Sequence, residues 1–469
     1  MSEESEIDLS EWEQASFKKM LSFSFGYLLV FFFITQFNSY VFYYYEVEIG
    51  MPVMLLGLAF VIFAIWNMIN DPLLGYLTDR PFKFTKKWGM RFPWMVIGII
   101  PFLICYYFLF AIPDNLVENP NPWGVFLYFV IVSCALDTFY SLFVIHINAS
   151  FTTHFRTDAE RRRSSVVNTT IPQLIAIVIG FIVPIFYIYG NRDSMVFAQM
   201  LVVLVLFVCM IITIPGIRES QDLKERFLKG YEESERDPYW VSVKSAFRQK
   251  NFVASLLVFM LFTFANVLGN ASRVYFFKDI LKLPYYVSIY TILAGYIGFL
   301  LFIPFWANRC KKMGQGKTMR LAFLLIALSY LPGLWITTLG EAIIFGFIGG
   351  AVVGGFWIPL GLVSSDVYDE VTVSSGKHQE AMYQGIRTFF DRLSLIFVGI
   401  VIPVVHIMTG FDPDPNAVQT PLAIWGIRVH RSLIPALICL VAFIIMYKWY
   451  NLYGEKLIAV KKKLMEMGL

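Results

Sequence analysis

Residues 52–77 read PVMLLGLAFVIFAIWNMINDPLLGYL, a run whose single formal charge is Asp71. As an α-helix rising about 1.5 Å per residue it is roughly 39 Å long, enough to cross the hydrocarbon of a bilayer with some tilt. Amides at that depth have no water to bond and must pair within the segment, and the two-residue alternation of a barrel strand is missing. The run is therefore read as a membrane-spanning helix. Its second half carries Asn67, Asn70, Asp71 and Pro72. An ionisable group in mid-membrane costs roughly 2.5–3.5 kcal/mol, so the fold must supply Asp71 with a partner or a watery cavity.

Comparable apolar segments lie on either side: Leu21 to Tyr45, Phe92 to Ile112, Trp123 to Phe151, Ile171 to Tyr189 and Met195 to Ile214 in the first half. After a polar break from Arg218 to Asn251 come Phe252 to Phe277, Tyr285 to Trp306, Leu321 to Leu339, Ala342 to Val363, Met382 to Met408 and Leu422 to Tyr447. With the opening run this makes twelve spans, six and six. The expected organisation is an N-terminal six-helix bundle with a short cytoplasmic arm in residues 1–217, a cytoplasmic linker in 218–251, and a C-terminal bundle with a cytoplasmic tail in 252–469. Composition agrees: 57% of the 469 residues are hydrophobic and 15% charged, whereas a soluble chain carries about 25% charge and a disordered one far less apolar mass.

Lys and Arg in short loops stay on the cytoplasmic side. Arg80, Lys83, Lys86, Lys87 and Arg91 follow the second span, and Arg156, Arg161, Arg162 and Arg163 follow the fourth. The loops Val47 to Met51, Pro113 to Pro122 and Gly410 to Thr420 carry neither residue. Both termini are thus expected in the cytoplasm of a multi-pass plasma-membrane protein. Met1 to Gln14 is acidic and Ser-rich, without the basic region or cleavage site of a secretory signal. The charge balance, 38 basic against 34 acidic residues for a net +4, is too small to point to nucleic acid. The five cysteines lack paired spacing, and no phosphate-binding loop or nucleophile elbow is present, so no enzyme chemistry and no cofactor are expected.

The polar residues inside the spans cluster. Asn67, Asp71 and Gly75 follow i, i+4, i+8, and Asp137 and Ser141 of the fourth span are also one turn apart. Counted from the basic ends, Asp71 and Ser141 share one depth, and Asn67 and Asp137 share the layer one turn above. If the two helices are neighbours, these four form an oxygen-rich nest suited to a small hard cation or an exchangeable proton. They equally fit a structural role, with Asp71 bonded within a kinked helix and Asp137 paired to a basic residue across the bundle. In the eleventh span Arg387 and Asp391 are placed to pair at i, i+4. Arg392 points about 100° away from Asp391 and needs another partner, either Asp71, Asp137 or an anionic group on a solute. Asn266, Asn270 and Arg273 line one face of the seventh span, as cavity lining or as interhelical glue. His146 and His154 are read as structural.

A short internal echo, Gly75 to Gly89 against Trp306 to Gly314, points to related halves of the kind found in alternating-access carriers. Three stretches carry a wider resemblance: Trp66-Asn67-Met68-Ile69-Asn70-Asp71-Pro72 with Gly75, Trp88-Gly89-Met90-Arg91-Phe92-Pro93-Trp94, and Ser365-Asp366-Val367-Tyr368-Asp369-Glu370 with Gly376, Glu380, Tyr383 and Gly385. Together they resemble, over essentially the whole chain, the glycoside-pentoside-hexuronide:cation symporters, the melibiose-carrier branch of the major facilitator superfamily. The resemblance implies an all-α membrane fold of twelve helices in two pseudo-symmetric bundles. It also implies a cation site with two acids in the second helix and a Thr in the fourth. Asp71 matches the second acid, Asn67 stands at the first, Ser141 falls at the Thr, and Asp137 is an additional acid one turn away.

The family's essential Lys in helix eleven matches Arg392, and its polar neighbours match Arg387 and Thr388. Its sugar-holding acids fall on Phe31 and Val144 and its aromatic platform on Asn148, departures that argue against a melibiose-type galactoside. The implied solute-binding residues are Arg392, Arg387, Thr388, Asp391, Tyr140 and Asn148, with two arginines favouring an acidic solute such as a uronide. The expectation is a monomeric secondary carrier in the lipid bilayer, taking a small-molecule solute with Na+ or H+. Its alternatives are a lysolipid symporter of the same fold and a non-transporting receptor or scaffold.

Overall fold

The computed structural model describes residues 15–78, 82–118, 121–155, 158–221, 224, 247–375 and 380–466. The acidic arm Met1 to Gln14, the loop residues Arg80 and Arg156, Gly376, and nearly all of the central linker lie outside the described residues. Among the described residues, twelve helices are long and apolar enough to cross a membrane: α1 Phe17–Glu48, α2 Val53–Thr78, α3 Phe92–Glu118, α4 Pro122–Phe151, α5 Arg163–Phe186, α6 Arg192–Ile217, α7 Lys250–Ile280, α8 Tyr285–Met313, α9 Gln315–Leu334, α10 Leu339–Ser374, α11 Gly385–Thr409 and α12 Pro421–Lys448. A surface helix, α13, covers Glu455–Glu466.

The helices pack with a six-helix repeat. In the first half α4 packs on α2 and α3, and α1 on α5 and α6. In the second half α10 packs on α8 and α9, and α7 on α11 and α12. The equivalent helices α1 and α7 even end alike, each in a five-residue π-helical turn, Tyr44–Glu48 and Phe276–Ile280. The two bundles meet where α2 lies on α11 and α1 on α7. At the first of these crossings the backbones touch. A Cβ on Gly57 would run into the carbonyl oxygen of Gly399 and come within 2.8 Å of Pro403 Cγ.

Helix α10 runs well past the span expected to end at Val363, because helix formation does not stop at the lipid boundary when the polar residues beyond it find partners. Glu370 accepts from Asn251 Nδ2 at 2.8 and 2.9 Å and pairs with Lys456 at 2.9 Å. Asp366 accepts from Gln315 and sits 3.6 Å from Lys461. The acidic motif at the end of α10 thus ties the tail helix α13 to the starts of α7 and α9, at one end of the second bundle.

The Trp88-Gly89 motif has an equally local explanation. Glu219, just past α6, accepts from the backbone N–H groups of Met90, Arg91 and Phe92 at 2.8, 2.7 and 3.2 Å, placing a carboxylate on the N-terminus of α3. Those amides have no helical acceptor, and the helix dipole favours negative charge there. Gly89 has φ +99°, and a Cβ on it would collide with the Glu219 carboxylate. Glu219→Ala is expected to cost about 1.5–3 kcal/mol, the range for hydrogen bonds to a charged group, and Gly89→Ala to act in the same direction. Thermal melting of the purified protein checks both; unchanged midpoints would remove this role for Glu219.

Candidate cation site and gate between the halves

Three polar residues of α2 fall within five positions, so Asn67, Asn70 and Asp71 share one side of the helix. Pro72 follows without breaking it, and α2 continues to Thr78. That side meets α4, where Asp137 is 2% exposed. Asn67 Nδ2 donates to Asp137 Oδ1 at 2.5 Å, and Asn70 Nδ2 donates to Oδ2 at 3.2 Å. Trp66 Nε1 adds a bond to Thr138 Oγ1 at 3.1 Å. The structure therefore brings Asn67 and Asp137 together in one layer, and it adds Asn70, whose sequence signal was only its place before Asp71-Pro72.

Asp71, one turn beyond Asn67, reaches the second half: Arg392 Nη2 of α11 donates to Asp71 Oδ2 at 3.4 Å, with both side chains about one-fifth exposed. This ion pair crosses between the bundles. Three buried oxygens have no hydrogen-bond partner among the described residues: Asn67 Oδ1, and Asp71 Oδ1 and Ser141 Oγ, each one helical turn beyond the Asn67–Asp137 contact. Arg392 Nε and Asp391 Oδ1 are likewise unpartnered. Asp71, Asp137, Asp391 and Tyr140 all lie within electrostatic reach of Arg392. Desolvated oxygens without donors are costly unless a cation or a proton joins them.

Other residues fall elsewhere. Arg387 does not pair with Asp391, its neighbour one turn on. It donates to Ser364 Oγ at 3.2 Å and stacks over Phe259, 4.5 Å from the ring centroid, because the planar guanidinium gains a π face there. Nor is Arg392 the unpaired cation that this expected pairing left over, since Asp71 takes it. Tyr140 is buried in the first bundle, its hydroxyl donating to the Val30 carbonyl at 3.3 Å and its ring 4.7 Å from Phe33, within electrostatic reach of Arg392. Asn148 is exposed, eleven residues and three turns from Asp137 on the same face of α4. Thr388 is half-buried on α11. On α7, Arg273 donates to Asn270 at 2.6 Å and Asn270 to Asn266 at 2.9 Å, forming a polar ladder along one helix. His146 bonds Thr78 Oγ1 at 2.9 Å and His154 bonds the Ser150 carbonyl at 3.0 Å.

A second polar meeting of the halves escaped the sequence reading. At the end of the molecule bearing the α1–α2 loop, Glu46 of α1 accepts from His406 Nδ1 of α11 at 2.7 Å and from the Tyr275 hydroxyl of α7. His406 Nε2 lies 3.2 Å from His430 Nε2 of α12. Aromatic rings close over this cluster: Tyr43 meets Tyr275 with centroids 4.8 Å apart, and Tyr285 meets Tyr40 and Tyr187, both at 5.9 Å. The two halves are shut against each other at this end.

A family model described as MFS/sugar transport protein matches residues 22–453. The uncharacterized symporter YnaJ of Bacillus subtilis is 23% identical over 430 residues, 89% of this chain and 88% of that one. The sodium-dependent lysophosphatidylcholine symporter 1-A of Danio rerio is 27% identical over 100 residues, 21% of this chain and 17% of that one. Among solved structures, a D-xylose-proton symporter superposes with a TM-score of 0.60 at 15% identity, covering 93% of this chain and 98% of that one.

Proposed function

Because the chain belongs to the MFS/sugar transport protein family, we propose that it moves a small organic solute across the membrane together with Na+ or H+, by alternating access to a cavity between its halves. It is a multi-pass membrane transporter and not an enzyme. The observation that carries the coupling is the Asp71–Arg392 pair between the bundles, set beside the unpartnered oxygens of Asn67, Asp71 and Ser141. With no cation present, Arg392 neutralises Asp71 and holds α11 to α2. A cation taken up by Asp71, Asn67 and Ser141, with Asp137 one turn away, replaces that guanidinium and frees the second half to move. A scaffold would need Asp71, Asp137 and Arg392 fully paired; among the described residues Asp137 is, whereas Asp71 Oδ1 and Arg392 Nε have no partner.

The solute in this reading is a sugar, glycoside, uronide or related compound, and the positive-inside loops put both termini in the cytoplasm. A lysolipid is the second reading, favoured by the pocket between α7, α9, α10 and α11. There Phe252, Phe259, Met319 and Phe356 line a small, mostly apolar recess with Arg387, a cation set among apolar side chains.

Proteoliposomes holding the purified protein decide between these readings. They are offered sugars, uronides and lysolipids under an imposed Na+ or proton gradient. The proposal expects one solute class to accumulate only with the gradient. It also expects the double change Asn67→Asp with Asp137→Asn to keep more uptake than Asp137→Asn alone, since the carboxylate stays in the same layer. Gradient-independent uptake by the wild type would sink the coupling.

A further inference from the structure

The Glu46 cluster lies far from the candidate cation site: His406 is fourteen residues from Arg392 along α11, roughly 21 Å. It joins five side chains in a row, Ser272, His430, His406, Glu46 and Tyr275, and none is more than 2% exposed. Glu46 belongs to the first half and the other four to the second. Two of the five stand on π-helical turns, Glu46 on Tyr44–Glu48 and His430 on Val429–Leu433, distortions that recur at functional positions.

Counting hydrogens along the row shows that it can exist in two protonation states without moving a heavy atom. Ser272 Oγ lies 2.6 Å from the Leu268 carbonyl and 2.6 Å from His430 Nδ1, and a hydroxyl has one hydrogen to give. If that hydrogen goes to Leu268, His430 Nδ1 must donate to Ser272, so its Nε2 carries the lone pair and receives a hydrogen from His406 Nε2. His406 Nδ1 also donates, to Glu46, so His406 is then an imidazolium paired with a carboxylate. If the hydroxyl turns to His430 Nδ1, the donors reverse: His430 Nε2 donates to His406 Nε2, and His406 is neutral while still donating to Glu46. The states differ by one proton and one hydroxyl rotation.

Burial chooses between them. The first state puts a cation on the ring that touches Glu46, the counter-charge that a carboxylate removed from water requires. When the halves part at this end, Glu46 and His406 enter water, and the carboxylate no longer needs a buried partner. The surrounding charges are Lys278 and Asp279 of α7, 3.4 Å apart and so compensating each other, Arg273 of α7, and Arg431 of α12, which donates to the Gly269 carbonyl and lies over Phe276. Tyr43 and Glu48 complete the side contributed by α1, with Glu48 accepting from Tyr187. The α2 face against α11 contributes no charge at this level, its one carboxylate being Asp71 beside Arg392.

We propose that Glu46, His406 and His430 form a second proton-binding site, which holds one proton on His406 while this end is closed and releases it to water when the halves separate there. The step breaks one N–H bond of the imidazolium and returns the electron pair to the ring, with water taking the proton. Proton concentration then sets how long this gate stays shut, whichever cation Asp71 takes. The inference rests on alternating access but not on the coupling ion.

The test uses the full chain in lipid nanodiscs, with its native cysteines replaced and spin labels at Asn115→Cys in the first half and Val418→Cys in the second, both exposed at this end. Distances are measured by electron–electron resonance between pH 5.5 and 8.5. A single proton changes the closed-to-open ratio by up to about tenfold per pH unit, rising toward low pH. That response should vanish in Glu46→Gln and in His406→Gln. A pH response that persists in both variants overturns the site, and if a Na+ gradient still drives uptake the coupling reading survives it. Should neither variant fold, ¹⁵N-histidine spectra of the wild type decide, since the chain has five histidines. An imidazolium at His406 in the closed protein supports the site, and a neutral ring across the range excludes it.

Discussion

In proteoliposomes, Asp71→Asn is expected to lower gradient-driven accumulation by about a hundredfold, the upper range of coupling energies between sites, while downhill exchange persists. The asparagine keeps the shape and loses the charge, so it attracts neither Arg392 nor a cation. The converse change tests whether those two compete for one carboxylate. Arg392→Gln removes the competitor at 3.4 Å and should tighten cation binding at Asp71 by about tenfold or more, since charge-assisted hydrogen bonds are worth roughly 1.5–3 kcal/mol. Accumulation should still be lost, because nothing then ties the ion to the movement of α11. The double change should bind cation poorly and accumulate nothing. Isothermal calorimetry with Na+, or a pH titration if the ion is H+, reads the first quantity and uptake the second. Weaker cation binding in Arg392→Gln would mean that the arginine supports the site instead of competing for it.

Gly57→Val is expected to cut transport by about fiftyfold or more with the protein still folded, as a 2–3 kcal/mol overpacking penalty placed on one of two states would do. The added side chain meets the Gly399 carbonyl and Pro403 ring, backbone and ring atoms that cannot swing aside. The contact exists only while α2 and α11 are pressed together, so its cost falls on the closed end alone and shifts the population to the form open there. Gly57→Ala should do the same more weakly. Labels at Asn115 and Val418 should report a longer distance for both variants. Wild-type transport by Gly57→Val would show that the crossing loosens without consequence.

Much of the fold was legible because lipid imposes a severe rule: every spanning amide must be paired within its own helix, and that requirement writes a long apolar run for each span. The six-and-six division follows from the same runs. The meeting of Asn67 with Asp137 was also readable, since helical periodicity fixes a residue's depth and the two residues share one. Azimuth is a different matter. How each helix is rotated against its neighbours is set by packing, and so the partner of Arg392, the turn of Arg387 away from Asp391 onto Phe259, and the inward burial of Tyr140 were not in the spacing.

The gate at the α1–α2 end shows the limit most clearly. Glu46 lies 360 positions from His406, and each stands near a helix end, where an ionisable residue costs little and raises no alarm in a hydropathy reading. Only the tertiary structure turns α1 toward α11 and seals both groups from water. Periodicity within one helix is a covalent property, which the sequence by itself determined; the desolvation that converts an ordinary Glu and His into a buried pair comes from the closing of one half on the other, which only the folded molecule decides.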